Sequence, residues 1–310
     1  MRYAVMVEPQ RGMTYEQLAG LAQVVEASGF EALHRADHLA SFGDGPERDA
    51  TEAWTTVAGL ARETTTLRPG MLVSPITFRH PALVARMATT VDWMSGGRLE
   101  VGLGAGWVEA EHRRNGLPFP PASVRTAMLG EAADLIRQLW AGGQVSFAGR
   151  FFRTDALQVL PPPVQQPHPP LLLGGRGGPV GLDLAARHAD EYNFLALSPG
   201  EVAVRAEQAV RACEAVGRDP MTLRLSVTAA ITVADAAADL ERRIAAARRE
   251  TGDLMDRRAA SWIRGGRQEL LDRVGQYSEA GVDRLILQDF IPEEAEMLVE
   301  VATMLQLTGS

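Results

Sequence analysis

The chain has 310 residues, 46% hydrophobic and 23% charged, which is enough to bury a large core and unlike the polar composition of a disordered chain. Its formal net charge is −8 with no block of like charges, which argues against nucleic acid as a partner, because nonspecific binding needs a basic stripe to displace phosphate counterions. Cys213 is the only cysteine, so no intrachain disulfide can form and a reducing, cytoplasmic location is expected.

The amino-terminal apolar run ends at Glu8 and Pro9, too early for a secretory signal. No stretch approaches the roughly 20 apolar residues of a membrane helix, so no membrane partner is expected. Short apolar runs then alternate with amphipathic segments, the pattern of βα units around a parallel sheet. Tyr3 to Val7 is the first strand. Tyr15 to Ala27 is a helix, with Thr14 and Gln17 at capping-box spacing and Gly29 closing it. Ala32 to His34 is the second strand, followed by a polar loop and a helix over Glu52 to Arg62. Arg68 to Val73 is the third strand, and Pro81 opens a helix to Met94. Leu99 to Leu103 is the fourth strand, with a helix from Thr126 to Trp140 and a short hairpin over Val145 to Phe152. The stretch Pro161 to Pro170 is stiff and extended. Leu171 to Leu173, Tyr192 to Leu195, Leu223 to Val233 and Arg284 to Gln288 are strands five to eight. Their helices cover Gly178 to His188, Gly200 to Val216, segments to Ser261 with Gln268 to Ala280, and Glu293 to Leu305. Eight strands each followed by a helix predict one closed (β/α)8 TIM barrel over residues 1–310, with an insertion over about 104–170 between strands four and five.

In such a barrel the active site lies where the loops after the strands converge. The clearest signal there is Gly174-Gly175-Arg176-Gly177-Gly178, a glycine-rich turn into a helix. Free backbone N–H groups and the helix dipole make such a turn an anion site, to which Arg176 adds a charge. Gly102, Gly104 and Gly106 let backbone approach a flat ligand, and Trp107 either walls a ring system or packs in the core. After strand two, His38 is the candidate for proton chemistry near neutral pH. The structural alternative is a histidine bonded to a loop carbonyl, with Asp37 as a cap or an arginine partner. His80 and His112 adjoin helix starts and have lesser claims. No metal site is expected, since cysteine ligands are excluded by count and the first strand lacks a His-x-His pair.

These loops together resemble the bacterial luciferase-like flavin-dependent oxidoreductases, and within them the branch using the deazaflavin coenzyme F420. The resemblance runs in order over about residues 1–290. It is carried by Glu26-Ala27-Ser28-Gly29-Phe30, Asp37-His38-Leu39, Ser74 to Pro81, Asp92 to Leu99, Gly102 to Trp107, Gly174-Gly175, Ala189 to Asn193 and Ala280 to Asp283. It implies that His38 approaches the reactive ring and that Met71, Leu72 and Val73 form a bulge behind it, often with a non-proline cis peptide. It also implies that Asp37, Gly106 and Trp107 border the coenzyme and that Gly174, Gly175, Arg176, Gly177 and Gly178 cradle its phosphate. Two departures stand out. Trp107 occupies the place where sugar-phosphate dehydrogenases of the family carry a glutamate, and the phosphate loop has no second basic residue.

The expected activity is hydride transfer between the deazaflavin and a small organic substrate, with His38 handling the proton. The alternatives are an FMN-dependent monooxygenase using oxygen and a non-catalytic flavin-binding homologue. The expected substrate pocket is lined by the loop from Ala40 to Thr51, the stretch from Trp107 to Pro121 and the region near Trp262. A homodimer is expected, with Ala85, Met87, Ala88, Val91 and Trp93 either at its interface or packed on the barrel.

Overall fold

The computed structural model describes residues 1–41, 47–292 and 294–307. Residues 42–46 of the expected pocket loop, and Glu293 at the expected start of the closing helix, lie outside the described residues. The elements are β1 (Arg2–Val7), α1 (Tyr15–Ala27), β2 (Ala32–Arg35), α2 (Ala53–Glu63), β3 (Arg68–Met71), β4 (Ser74–Pro75), α3 (Pro81–Ser95) and β5 (Val101–Gly104). There follow α4 (Glu109–Arg114), α5 (Ala122–Ala141), β6 (Val145–Ala148), β7 (Arg153–Leu157), β8 (Leu171–Gly175), α6 (Pro179–His188), β9 (Glu191–Leu195) and α7 (Pro199–Ala215). The chain ends with β10 (Arg224–Val233), α8 (Ala237–Thr251), α9 (Leu254–Arg257), β11 (Ile263–Gly265), α10 (Arg267–Glu279), β12 (Arg284–Asp289) and α11 (Glu296–Met304).

The main sheet runs β3-β2-β1-β12-β10-β9-β8-β5-β4, with every pairing parallel. A bridge between Gly70 and Glu100 joins β3 to β5 and closes the ring. The expected third strand is thus present but broken: it pairs with β2 as far as Met71 and resumes at Ser74 against β5. The peptide between Leu72 and Val73, inside the break, is cis. With β3 and β4 counted as one interrupted strand, the barrel has the eight positions expected from the sequence.

Capping chemistry fixes several helix starts where the sequence places them. Thr14 and Gln17 form the reciprocal capping box of α1, and Ser198 with Glu201 does the same for α7. Helix α5 begins at Ala122, earlier than expected, because its first turn is tied down. Buried Arg125 donates through Nε to the Gly106 carbonyl (3.2 Å) and through Nη1 to the Pro120 carbonyl. On α3, Ala85, Ala88 and Val91 are buried in the main core, so that face packs on the barrel. Trp93 is exposed and its indole donates to the Pro162 carbonyl (2.7 Å). No helix among the described residues is long and apolar enough to cross a membrane.

The barrel interior is filled in two ways. Ala4, Met6, Ala32, Leu72, Leu172 and Ile286 form an apolar cluster. Beneath it, at the amino ends of the strands, lies an ion network. Arg284 is bidentate to Glu191 (2.9 and 2.8 Å) and reaches Glu100 (2.9 Å). Glu100 also accepts from Arg68 (2.8 Å) and contacts His34 Nε2 (2.8 Å). Burial alone would raise the Glu100 pKa, but Arg284 first, then His34 and Arg68, hold it well below the ordinary carboxylate value. This end of the barrel is closed by charge pairing, which leaves the opposite end for ligand.

Candidate active site

His38 stands just past the carboxyl end of β2, between two anchored neighbours. Asp37, fully buried, accepts from Ser74 Oγ (2.6 Å) and from Arg79 through both guanidinium nitrogens (2.6 and 3.2 Å). Arg79 also holds Glu52, and these two carboxylates outweigh burial and raise the arginine's pKa. Asp37 therefore has the arginine partner weighed in the sequence reading, and its carboxylate ties the loop to β4. On the other side, the Leu39 and Ala40 backbone N–H groups donate to Glu111 Oε1, the latter at 3.3 Å. Glu111 Oε2 lies 3.0 Å from His38 Nδ1. A carboxylate can only accept, so Nδ1 carries the proton of this contact and Nε2 is the ring nitrogen turned away from Glu111.

Glu111, on α4, is a candidate site residue that the sequence alone does not single out. It is 73 residues from His38 in the chain, and no spacing rule links two separate loops. The only available signal was its place after a barrel strand. Trp107 is 67% exposed and sits edge-on to the His38 ring, centroids 6.0 Å apart. It borders the site and is not a core residue. His112 is buried and structural: Nδ1 bonds the Val108 carbonyl (2.7 Å), Nε2 meets the Thr77 hydroxyl (2.7 Å), and the ring packs on Phe78 and Phe119. His80 caps α3 by accepting from the Ala82 N–H (3.2 Å).

The expected bulge sits beside the glycines of β5 and β8, and it accounts for most of them. A Cβ on Gly102 would collide with the Met71 carbonyl, and one on Gly104 with Val73 Cγ2. One on Gly174 would lie 2.9 Å from Val73 Cγ1. The space these glycines open is therefore filled by the Met71–Val73 segment, whose Val73 side chain is partly exposed beside the interior cluster. The glycines make room for the Met71 carbonyl and the Val73 side chain, and the surface left partly exposed is that valine.

The Gly174–Gly178 turn serves packing and opening together. Tyr192 Oη accepts from the Gly177 N–H (3.0 Å), and a Cβ on Gly175 would lie 2.7 Å from that oxygen. Gly177 has φ of +71°, with Phe194 and Arg205 against its open side. Gly178, the N-cap of α6, faces open space. A cavity of about 370 Å³ lies here, lined by Gly174, Gly175, Arg176, Gly178, Val180 and Tyr192 among others. Arg176 is exposed with no hydrogen bond to its guanidinium among the described residues. An open helix start, an unfilled glycine and an uncommitted arginine fit a phosphate group.

Trp262 is buried with Ala230, Met255 and Phe290, its indole donating to Thr232 Oγ1 (3.1 Å). It anchors the 234–262 excursion between β10 and β11. The site residues thus come from neighbouring positions of the ring: His38 follows β2, the Val73 shelf lies between β3 and β4, Trp107 and Glu111 follow β5, and the Gly174–Gly178 turn ends β8.

A parallel barrel with a held histidine, a glycine-backed shelf and an open glycine turn at the carboxyl ends of its strands is the arrangement of an α/β-barrel enzyme with its candidate site at that end. The luciferase-like monooxygenase family model matches residues 1–296, and the chain belongs to that family. It is 34% identical over 219 residues to the pyrimidine monooxygenase RutA of Stutzerimonas stutzeri (strain A1501), covering 68% of this chain and 59% of that protein. It is also 34% identical over 209 residues to the F420-dependent hydroxymycolic acid dehydrogenase of Mycobacterium tuberculosis, covering 67% of this chain and 56% of that protein. The match therefore spans less than two thirds of these relatives' own lengths. Among solved structures, the fold is similar to an F420-dependent secondary alcohol dehydrogenase in complex with an F420-acetone adduct, with TM-score 0.86, 20% identity and 98% of both chains covered. It is likewise similar to monooxygenase RslO1 from Streptomyces bottropensis, with TM-score 0.83, 22% identity and 99% of both chains covered.

Proposed function

We propose that this chain is an F420-dependent oxidoreductase that transfers a hydride between the deazaflavin and a small organic substrate. The observation that carries the reading is the His38–Glu111 pair at the open end of the barrel. It holds an imidazole in one tautomer beside an exposed tryptophan, at the same end of the barrel as the phosphate-type turn. When bound, the coenzyme supplies the hydride-carrying carbon. The protein's own residues do the rest. The open N-terminus of α6, Gly178 and Arg176 hold the phosphate, Val73 backs the ring, and Trp107 shields the mouth from water. His38 gives or takes the accompanying proton at Nε2, with Glu111 fixing the ring.

The similarity to pyrimidine monooxygenases favours a second reading, a monooxygenase working with reduced FMN in the same site. Titration with F420 and with FMN, followed by tryptophan fluorescence, separates the two, because Trp107 borders the site. Tight F420 binding with weak FMN binding is the expected result. Preference for FMN would transfer the assignment to oxygen chemistry, and binding of neither would leave a non-catalytic homologue.

A further inference from the structure

Arginines that leave the surface of this protein find acceptors. Arg35, Arg79, Arg98, Arg125, Arg243 and Arg284 each donate to a carboxylate, hydroxyl or carbonyl. Among the described residues, Arg258 is the one buried or half-buried arginine whose guanidinium has neither a hydrogen bond nor an ion pair. A guanidinium stays charged at neutral pH, and a desolvated charge without a partner is costly.

Its position shows what could relieve that cost. Arg258 follows α9 in the excursion between β10 and β11, and β11 pairs with Ile231–Val233 at the carboxyl end of β10. The charges it senses are Glu8, just past β1, and Arg176, just past β8, together with Arg257 and Arg11. Glu8 and Arg176 both follow carboxyl ends of barrel strands, the end from which the excursion that carries Arg258 leaves β10. Glu8 is already committed: Oε2 accepts from Arg11 Nε (2.7 Å) and Oε1 from Gln288 Nε2 (2.9 Å). Burial presses the Arg258 pKa down, and the neighbouring arginines reinforce this against Glu8. The turn between Glu8 and Arg11 also carries Gln10, fully buried with neither amide atom bonded, where buried amides are normally satisfied.

We propose that Arg258 forms an anion site at the barrel mouth, apart from the coenzyme's phosphate turn and its Arg176, that takes a carboxylate or phosphate oxyanion of the substrate, which makes the substrate class a small organic anion. This deepens the proposed function and rests on it only for the coenzyme's place at the Gly174–Gly178 turn. Arg258 arrives from the excursion between β10 and β11, a different element from the turn that carries Arg176.

The test titrates inorganic phosphate into coenzyme-free wild type, Arg258→Met and Arg258→Lys, followed by phosphorus NMR, with circular dichroism confirming that each is folded. Arg258→Met is expected to weaken phosphate binding by about tenfold and Arg258→Lys by less, since a charge-assisted contact is lost in the first and kept in the second. Equal binding by wild type and Arg258→Met, or none by wild type, overturns the site. Repeating the titration with saturating F420 distinguishes the sources of the oxyanion. Persistence of the difference between wild type and Arg258→Met supports a substrate site, whereas its loss assigns the arginine to the coenzyme's own phosphate and overturns the substrate class. Failure of F420 to bind at all would sink the hydride-transfer reading while leaving the coenzyme-free comparison to decide this one.

Discussion

Glu111 carries the organisation of the active-site loop, and its removal gives a sharp test. The carboxylate accepts from three donors, the N–H groups of Leu39 and Ala40 and Nδ1–H of His38. The side chain is only 2% exposed, so water cannot replace what is lost. Hydrogen bonds to a charged group contribute about 1.5–3 kcal/mol each, and they share one acceptor, so Glu111→Ala is expected to cost about 3–5 kcal/mol of stability. Glu111→Gln keeps one acceptor oxygen for the backbone donors but turns an amide toward His38, so a smaller loss of about 1–2 kcal/mol follows. Urea unfolding of wild type, Glu111→Gln, His38→Ala and the double variant isolates the pair, with an expected coupling of about 1–2 kcal/mol. Nitrogen NMR of the His38 ring should show the Nδ1-protonated form in wild type and its loss in Glu111→Gln. A coupling below about 0.5 kcal/mol, within the additivity of independent sites, together with an unchanged tautomer, would refute the pairing.

Gly104→Ala places a methyl against Val73 and is expected to cost about 1–3 kcal/mol by overpacking, with weaker coenzyme binding measured by fluorescence titration alongside a melting curve. Trp107→Ala, at an exposed position, should change stability by less than about 0.5 kcal/mol while removing most of the fluorescence response to coenzyme; a large stability loss would make Trp107 structural. Glu100→Gln breaks the buried network and should cost about 3–5 kcal/mol at pH 7. Because the Glu100 pKa is depressed in the folded state, its contribution is present above its ordinary value of 4.5 and is lost as pH falls through the folded value. The gap between wild type and variant, read by unfolding at several pH values, should therefore narrow below about pH 4.5, and a gap constant with pH would count against the network.

Periodicity and capping made most of the barrel legible. Thr14 and Ser198 mark their helices through bonds within one turn, and runs such as Leu225 to Val233 are buried along their length, as central parallel strands are. What the sequence hid depends on distant partners. The third strand reads as one apolar run from Arg68 to Val73, yet it is interrupted because Val73 and the Met71 carbonyl occupy space left by glycines on β5 and β8. The short helix α4 and strand β11 carry no strong period of their own and are held by tertiary contacts: Glu111 to the His38 loop, Ile263 to Ile231. The glycine pattern at 174–178 marks a turn between β8 and α6, which the structure also has. Half of its reason is nevertheless the Tyr192 phenol packed beneath it, 15 residues from Gly177 in the chain.

Two histidine–glutamate pairs in this barrel show why residue type alone does not mark a catalytic group. His34 and His38 lie four positions apart, one inside β2 and one beyond its end. Each has a ring nitrogen on a buried carboxylate, at 2.8 Å for Glu100 and 3.0 Å for Glu111. Glu100 also faces Arg284 and Arg68, and neither it nor His34 is measurably reached by solvent. Changing the protonation of that pair would unbalance a buried cluster, so its role is to close the amino end of the barrel. Glu111 faces no guanidinium within ion-pair distance among the described residues. It spends its other oxygen on two backbone N–H groups, and it leaves the His38 ring 13% exposed beside Trp107. A proton can be exchanged there with a bound molecule without dismantling the fold. The step of four residues along one strand, from the sealed interior to the open rim, is what separates a structural histidine from one able to do chemistry.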